Sequence, residues 1–447
     1  MKLTIIGGGP GGYETALKAA ERGLEVTLVT AGPLGGTCLN EGCIPTKTLR
    51  RSADVADRVA EASTFGVNAA SEGIDWQKIL SRKEEVVSQL RGGVEFLLKK
   101  AKVTVLQGKA SFVDARTVRV VYPDGTETLV ESDAIFVATG SVSASLPIPG
   151  AELALDSAAL LSVNEIPRRL CVIGAGVIGL EFASIFRSLG SEVQVIEYCK
   201  EILPRFDTDL AKRLKQSLSR KGIFIETSAS VQRIDRLPDG TLDVTYLKKE
   251  QEQHAVSDTV LMAVGRRPAL GSMNFADIGV KTERGVVVDE HFETSVPGVY
   301  AFGDLIGGYM LAHVATFQGL HALNHLTGVP DGIRFDVVPA AVFTSPEAAS
   351  CGLTEDACKE QGIAVRCLKS HFRANGKALS MGDTDGFCKV VVSEEDGRLL
   401  GCHLFGPHAA DLIHEMSALI ARGVTLPEFR DLIHAHPTLS EVLQALL

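Results

Sequence analysis

No apolar run in this 447-residue sequence approaches the roughly 18 residues that a membrane span requires, so no transmembrane segment is expected. Basic residues are not in excess: 45 Lys and Arg stand against 55 Asp and Glu, for a formal net charge of −10. A nucleic-acid binder usually carries a basic patch or stripe, and that class is set aside. No low-complexity segment interrupts the chain. The sequence opens on the strand-like Lys2-Leu3-Thr4-Ile5-Ile6, so no signal peptide is expected. Its nine Cys are an odd number at irregular spacing. That pattern argues against a secreted disulfide framework and for a reducing cytoplasm with one special pair.

What is abundant is glycine. The 44 Gly exceed the average share of roughly 7%, and many fall in tight clusters just after apolar runs, where they suit backbone-mediated cofactor binding. Residues 1–30 read strand, Gly-rich turn, amphipathic helix, strand, and the same grammar returns at 170–197. Two such βαβ openings imply two dinucleotide sites on two doubly wound sheets. Between them, apolar residues at three- and four-residue spacing predict a helix over 74–101, followed by strands at 103–106, 117–122 and 134–138. The stretch LPIPG at 146–150 marks a crossing into a second domain, and the chain returns to the first after AVGRRP at 263–268. From about 336 short strands give way to helices. The expected architecture is α/β: Rossmann-like domains at 1–145 and 146–268, a segment at 269–335 that returns to the first, and a third domain at 336–447.

In each fingerprint, glycines let the backbone approach a pyrophosphate, and the helix N-terminus supplies unpaired N–H groups and partial positive charge. The first is Gly7-x-Gly9-x-x-Gly12. The carboxylate expected about 20 residues on, for the adenosine ribose, is absent, because the second strand ends Val29-Thr30. Thr30 keeps a hydrogen-bonding group there, so FAD binding is expected to survive with that contact altered. The second fingerprint, Gly174-x-Gly176-x-x-Gly179, is complete, and Glu197 closes its second strand. A carboxylate there pairs with a ribose 2′-hydroxyl and repels a 2′-phosphate, which favours NAD over NADP.

The segment Gly35-Gly36-Thr37-Cys38-Leu39-Asn40-Glu41-Gly42-Cys43-Ile44-Pro45-Thr46-Lys47 carries the redox chemistry. Two Cys at this spacing can close a small disulfide at the start of a helix. A helix N-terminus and the cation of Lys47 would both lower a thiol pKa, and the thiolate is the reactive form. Two other readings stay open from these residues alone. One is a metal site, although no second Cys or His pair stands out to complete it; the other is a pair of buried structural thiols. Cys171, Cys199, Cys351, Cys358, Cys367, Cys388 and Cys402 are expected to be small buried apolar residues.

GGTCLNEGCIPTK resembles the active-site motif of the FAD-dependent pyridine nucleotide–disulfide oxidoreductases, and the resemblance covers essentially the whole chain. Its CLN-x-GCIP wording is closer to the dihydrolipoamide dehydrogenase branch than to glutathione or mercuric reductases. The resemblance implies that FAD occupies the first domain and NAD the second, and that 336–447 is an α+β interface domain. It implies flavin contacts at Lys47, Ala110, Thr139, Gly140, Ser141, Asp304, Met310, Leu311, Ala312 and His313. It further implies NAD contacts at Val231 and Gly265, and a carboxylate, Glu181, paired with Lys47. Two positions depart from the pattern: Gln318, where the family more often has Glu, predicts a changed hydrogen bond, and Glu41, often apolar, tunes the disulfide. Arg266 and Arg267 read as solvated charge apart from a contact to NAD beside Gly265.

Histidine suits the movement of one proton near neutral pH, and a carboxylate that orients it raises its basicity. The ending His434-Ala435-His436-Pro437-Thr438-Leu439-Ser440-Glu441 offers two histidines. By the same resemblance His436 is the acid–base residue, paired with Glu441, and His434 has a surface or packing role. The resemblance also implies a homodimer in which the other subunit supplies the His, and a separate lipoyl-bearing carrier as substrate. That carrier would be a 2-oxoacid dehydrogenase acyltransferase or a glycine-cleavage carrier protein. The expected activity is oxidation of dihydrolipoamide through the Cys38–Cys43 pair and FAD to NAD, with an NAD(P)H-dependent disulfide reductase as the alternative. Neither a metal, a nucleic acid nor a membrane enters this reading.

Overall fold

Strands and helices alternate as the two glycine-rich repeats require. The computed structural model describes residues 1–271 and 273–446; Ser272, and Leu447 at the end of the expected third domain, lie outside the described residues. The chain divides into two units. The first comprises Met1–Leu49, Gln77–Ala144 and Gly265–Ile333, and the second Arg50–Trp76, Ser145–Val264 and Arg334–Leu447.

In the first unit a parallel five-stranded sheet runs in the order Val299–Ala301, Ala134–Val137, Lys2–Ile6, Glu25–Thr30, Thr104–Gln107. A parallel sheet is covered on both faces, and every residue of Ala134–Val137 is buried accordingly. One layer of its core sets Ile6, Val29 and Val137 against Phe112, Val118 and Val120 of an antiparallel three-stranded sheet. Helices Pro10–Glu21 and Ala312–Leu326 pack so closely that a Cβ at Gly319 would lie 2.1 Å from Thr15 Oγ1.

The second unit repeats the plan with a parallel sheet in the order Ile223–Glu226, Glu192–Ile196, Arg169–Ile173, Thr259–Met262. An antiparallel sheet of Ala229–Arg236, Leu242–Lys248 and Gln251–Ser257 adjoins it. Its C-terminal portion is a five-stranded antiparallel sheet in the order Ala340–Val342, Glu347–Gly352, Leu399–Gly406, Phe387–Ser393, Val365–His371. Helix Ala409–Ala421 contributes Ile413, Met416 and Ile420 to the core of that sheet. These sheets are the doubly wound α/β and α+β architecture expected from the sequence. Of the seven cysteines outside the redox segment, Cys171, Cys351, Cys358, Cys388 and Cys402 are buried. Cys199 and Cys367 are only partly so, because one lies in the loop after Glu197 and the other on the outermost strand of its sheet. Among the described residues no helix is long and apolar enough to cross a membrane.

All seven residues of Phe387–Ser393 are buried, including Lys389, whose side chain is 2% exposed. Its ammonium donates to Asp207 Oδ2 at 2.9 Å and Asp209 Oδ2 at 2.8 Å, and Glu355 Oε2 lies 2.7 Å away. Burial works against the charge, but the three carboxylates outweigh it and hold the ammonium above its usual range. Asp207 is buried with it, and removing one partner of a buried ion pair leaves the other charge uncompensated, at a cost of roughly 3–5 kcal/mol. Lys389→Ala is therefore expected to lower the urea midpoint by that equivalent, and a loss below about 1 kcal/mol, the range of a surface ion pair, would refute the assignment. Lys369 and Lys389 pull Asp209 down to about 2. A depressed carboxyl stabilises above its unfolded pKa, so this contribution disappears as pH falls from about 4 towards 2.

Candidate active site

The two fingerprints fold alike because steric necessity is the same in both. Gly7 (φ +123°) and Gly174 (φ +104°) turn the chain out of the first strand, where a Cβ would strike Ala138 O at 2.1 Å or Ala263 O at 2.4 Å. At Gly12 and Gly179 a Cβ would lie 1.7 and 2.1 Å from the carbonyl oxygens of Gly7 and Gly174, so each helix sits directly on its own turn. The N-cap positions are the reverse. A Cβ at Gly9 would find its nearest atom 3.9 Å away, and at Gly176 none lies within 4 Å. Neither helix has a side-chain cap. Uncapped N–H groups facing open space fit a pyrophosphate, so both turns suit a dinucleotide.

Thr30 does not replace the missing ribose carboxylate in a simple way. Its hydroxyl donates to Gly32 O at 2.9 Å, and it is buried against Gly8. In the second fingerprint Glu197 is buried; its Oε2 accepts from Ala175 N at 2.5 Å and its Oε1 from Cys199 N at 2.6 Å. The carboxylate is thus fixed against the Gly-rich turn, at the end of the second strand. Val231 lies at a bulge in Ala229–Arg236 and is buried in the core beside this sheet. Glu181, also buried, accepts from Phe343 N at 3.0 Å.

The redox segment is fastened to the first fingerprint. Gly35 N donates to Gly8 O at 2.8 Å, and a Cβ at Gly36 would come 2.6 Å from Gly9 Cα. Cys38 lies in the short helix Gly36–Glu41, and Cys43 opens helix Cys43–Glu61. Between them Gly42 (φ −140°, ψ −109°) breaks the helical path. Asn40 anchors the short helix through bonds to Leu34 O and Gly36 O, at 3.0 and 2.9 Å. No disulfide joins the two cysteines, and both are partly buried. The Cys38 thiol is driven well above its ordinary range, first by its hydrogen bond with Cys43 and then by burial. The charge of Lys47 acts in the opposite direction and is outweighed. The Cys38 proton is thus held within the pair.

The remaining first-unit residues lie on several separate elements. Ala110 is buried in strand Lys109–Phe112. Gly140 (φ +74°) turns the Thr139–Ser141 loop, and Thr139 Oγ1 lies 3.5 Å from Ala269 O. Ser141 Oγ is 2.5 Å from Asp304 Oδ2, in the turn Gly303–Ile306. Gln318 Oε1 accepts from Gly303 N at 2.8 Å, so the departure from Glu still serves as acceptor and holds that turn. Met310 and Leu311 lead into helix Ala312–Leu326, with Ala312 partly buried and His313 exposed in its first turn. Arg266 is a correction. It is not solvated charge: its Nε donates to Ser141 Oγ and its Nη2 to Ser141 O, both at 2.7 Å. Only the antiparallel pairing of Arg266–Pro268 with Ser141–Ser143 reveals this contact. Gly265 (φ +109°) precedes it, and its carbonyl accepts from Ala144 N.

In the second unit His436 Nδ1 lies 2.8 Å from Glu441 Oε1, and Thr438 N donates to Glu441 Oε2 at 2.8 Å. First the Thr438 amide and then His436 hold the Glu441 carboxyl below its usual range. The His436 side chain is 78% exposed, whereas that of His434 is 7% exposed and bound to Glu415 Oε1 at 2.7 Å. His434 is a packing residue, edge-on to Phe429. Among the described residues no three His, Cys, Asp or Glu side chains are placed to hold a metal ion.

Two dinucleotide turns, with a pair of thiols fastened to one of them, define a nucleotide-linked disulfide oxidoreductase. Residues 1–319 match the pyridine nucleotide-disulphide oxidoreductase family and 338–447 its dimerisation domain. The chain belongs to this family, and its cofactors are FAD and NAD. It is 41% identical to a dihydrolipoyl dehydrogenase of Geobacillus stearothermophilus, covering 98% of this chain and 93% of the relative. A dihydrolipoyl dehydrogenase of Bacillus subtilis is 39% identical, covering 100% and 98%. The crystal structure of LpdA from Mycobacterium tuberculosis aligns with a TM-score of 0.92 at 27% identity, over 100% of this chain and 98% of that one.

Proposed function

We propose that this chain oxidises dihydrolipoyl groups to the cyclic disulfide and passes the electron pair through Cys38–Cys43 and FAD to NAD. The observation that carries the reading is the thiol pair, hydrogen-bonded and fastened by Gly35 and Gly36 to the first dinucleotide turn. The names of the full-length relatives support the substrate.

His436 takes a proton from one substrate thiol, and the thiolate attacks Cys38 Sγ of the oxidised pair. The S–S bond breaks, Cys43 leaves as thiolate, and a mixed disulfide joins substrate to Cys38. The second substrate thiol loses its proton and attacks the substrate sulfur of that bond, expelling Cys38. Substrate departs as disulfide, and the protein holds two electrons as the reduced pair. Bound FAD would supply the two-electron acceptor for this pair, with NAD as the final acceptor. Gly7, Gly9, Gly12, Ala110, Thr139, Gly140, Ser141, Asp304 and the segment Met310–His313 would hold it. Gly174, Gly176, Gly179, Glu197, Val231 and Gly265 would hold NAD, with Lys47 and Glu181 as further cofactor-site residues.

The reading includes a homodimer in which His436 of one subunit serves the cysteine pair of the other, supported by the match to the family's dimerisation domain and by the exposure of His436. It includes a separate lipoyl-bearing carrier, a cytoplasmic setting, and a division into 1–145 for FAD, 146–268 for NAD, 269–335 returning to the FAD domain and 336–447 for dimerisation. The test is NADH formation from dihydrolipoamide with NAD, set beside NADP. Fast turnover with NAD and little with NADP is expected, and Glu197→Ala should narrow the gap. Yellow protein without turnover on either acceptor would reject the substrate.

A further inference from the structure

Asp304, Ser141 and Arg266 form a directed chain of hydrogen bonds. The Arg266 guanidinium can only donate, and it gives Nε to Ser141 Oγ and Nη2 to Ser141 O, both at 2.7 Å. A hydroxyl has one proton. With its lone pair facing Arg266, Ser141 directs that proton to Asp304 Oδ2, 2.5 Å away. Oδ1 is then the oxygen left for a ligand hydroxyl. Arg266 lies across from Ser143 in the antiparallel ribbon of Ser141–Ser143 and Arg266–Pro268, and its side chain reaches two residue pairs along to grip Ser141 twice. A planar fork suits two acceptors on one residue, whereas a lysine would present a single point charge on a flexible stem.

We propose that Arg266 is a positioning residue for the flavin: by fixing the Ser141 hydroxyl it holds the Asp304 carboxylate turned to receive a hydroxyl of the cofactor chain. The inference rests on the FAD reading above and adds to it a residue whose own atoms need not touch the cofactor. Its charge reaches the carboxylate across a single O–H bond, in a part-buried site where such a bond is little screened.

The test is the dissociation constant of FAD, read from the flavin fluorescence regained as holoenzyme is diluted, for wild type, Arg266→Gln, Arg266→Lys, Ser141→Ala and the double variant Arg266→Gln/Ser141→Ala. Thermal melting of each apoprotein runs beside it. One charge-assisted hydrogen bond corresponds to about ten- to hundredfold in binding, and Arg266→Gln should weaken FAD by that factor with an unchanged apoprotein midpoint. Arg266→Lys should recover only part of the loss. On the Ser141→Ala background the Arg266→Gln change should have little further effect, because the two act as one unit. Unchanged FAD retention in Arg266→Gln, full additivity with Ser141→Ala, or an apoprotein midpoint that falls in step would each overturn the proposal. A wild-type chain that binds no flavin would instead overturn the FAD reading on which it rests.

Discussion

Cys38→Ser is expected to bring dihydrolipoamide oxidation down to the rate of enzyme-free solution while the protein stays folded and yellow. A serine oxygen forms no disulfide, so the substrate thiolate meets no electrophilic sulfur and the mixed disulfide cannot arise. The flavin contacts proposed here lie on other residues: the first fingerprint, the Thr139–Ser141 loop and Asp304. Cys38 is partly buried in a short helix tied down by Asn40, and oxygen for sulfur is a small change there. Hydride exchange between NADH and an artificial electron acceptor should survive, since it bypasses the sulfur pair. The informative pair of measurements is therefore dithiol turnover against NADH-to-acceptor turnover in one preparation. Retained dithiol turnover would reject the sulfur route, and loss of both would point to a collapsed flavin site.

The dinucleotide turns were legible in the sequence because they are dictated locally. Gly12 must lack a side chain when the Gly7 carbonyl sits 1.7 Å from where its Cβ would be, and the same clash recurs at Gly179. Such constraints recur at fixed spacing and can be read without knowing the rest of the chain. The redox pair was legible for a similar reason, and its attachment to the fingerprint through Gly36 is the spatial form of that motif. What could not be read depends on contacts between distant segments. Arg266 meets Ser141 across 125 positions, and Lys389 meets Asp207 across 182. In sequence the first is half of an ordinary Arg-Arg pair and the second a lysine in an apolar strand; sheet pairing assigns the first its partner, and a helix N-terminus beside the strand assigns the second. The hydrogen bonding of Cys38 is another case of the same kind. A cation at Lys47 is visible in the sequence, but the competing hydrogen bond to Cys43 is a matter of three-dimensional approach.

His436→Ala is expected to lower kcat/KM for dihydrolipoamide by about 10²–10⁴, the contribution of a positioned acid–base group, without release of flavin. The geometry explains why the effect should centre on His436 and not on His434. Glu441 is fixed by the Thr438 amide through one oxygen and meets His436 Nδ1 with the other. Because those contacts hold its carboxyl low, Glu441 is charged across the neutral range, and this support is lost only in acid, below the usual carboxylate range. A carboxylate at Nδ1 keeps the proton there and leaves Nε2 as the base, on a side chain that is largely exposed. His434 is the opposite case, buried and engaged at both ring nitrogens, by Glu415 and by the Leu432 carbonyl. His434→Ala should therefore cost stability more than turnover. Removing the ring leaves a space that a small base can enter, so added imidazole should restore part of the His436→Ala rate in proportion to its unprotonated concentration. Glu441→Gln should fall between wild type and His436→Ala, since it weakens the orientation but keeps the ring. An unimpaired His436→Ala enzyme, or a larger loss in His434→Ala, would transfer the acid–base role to another group.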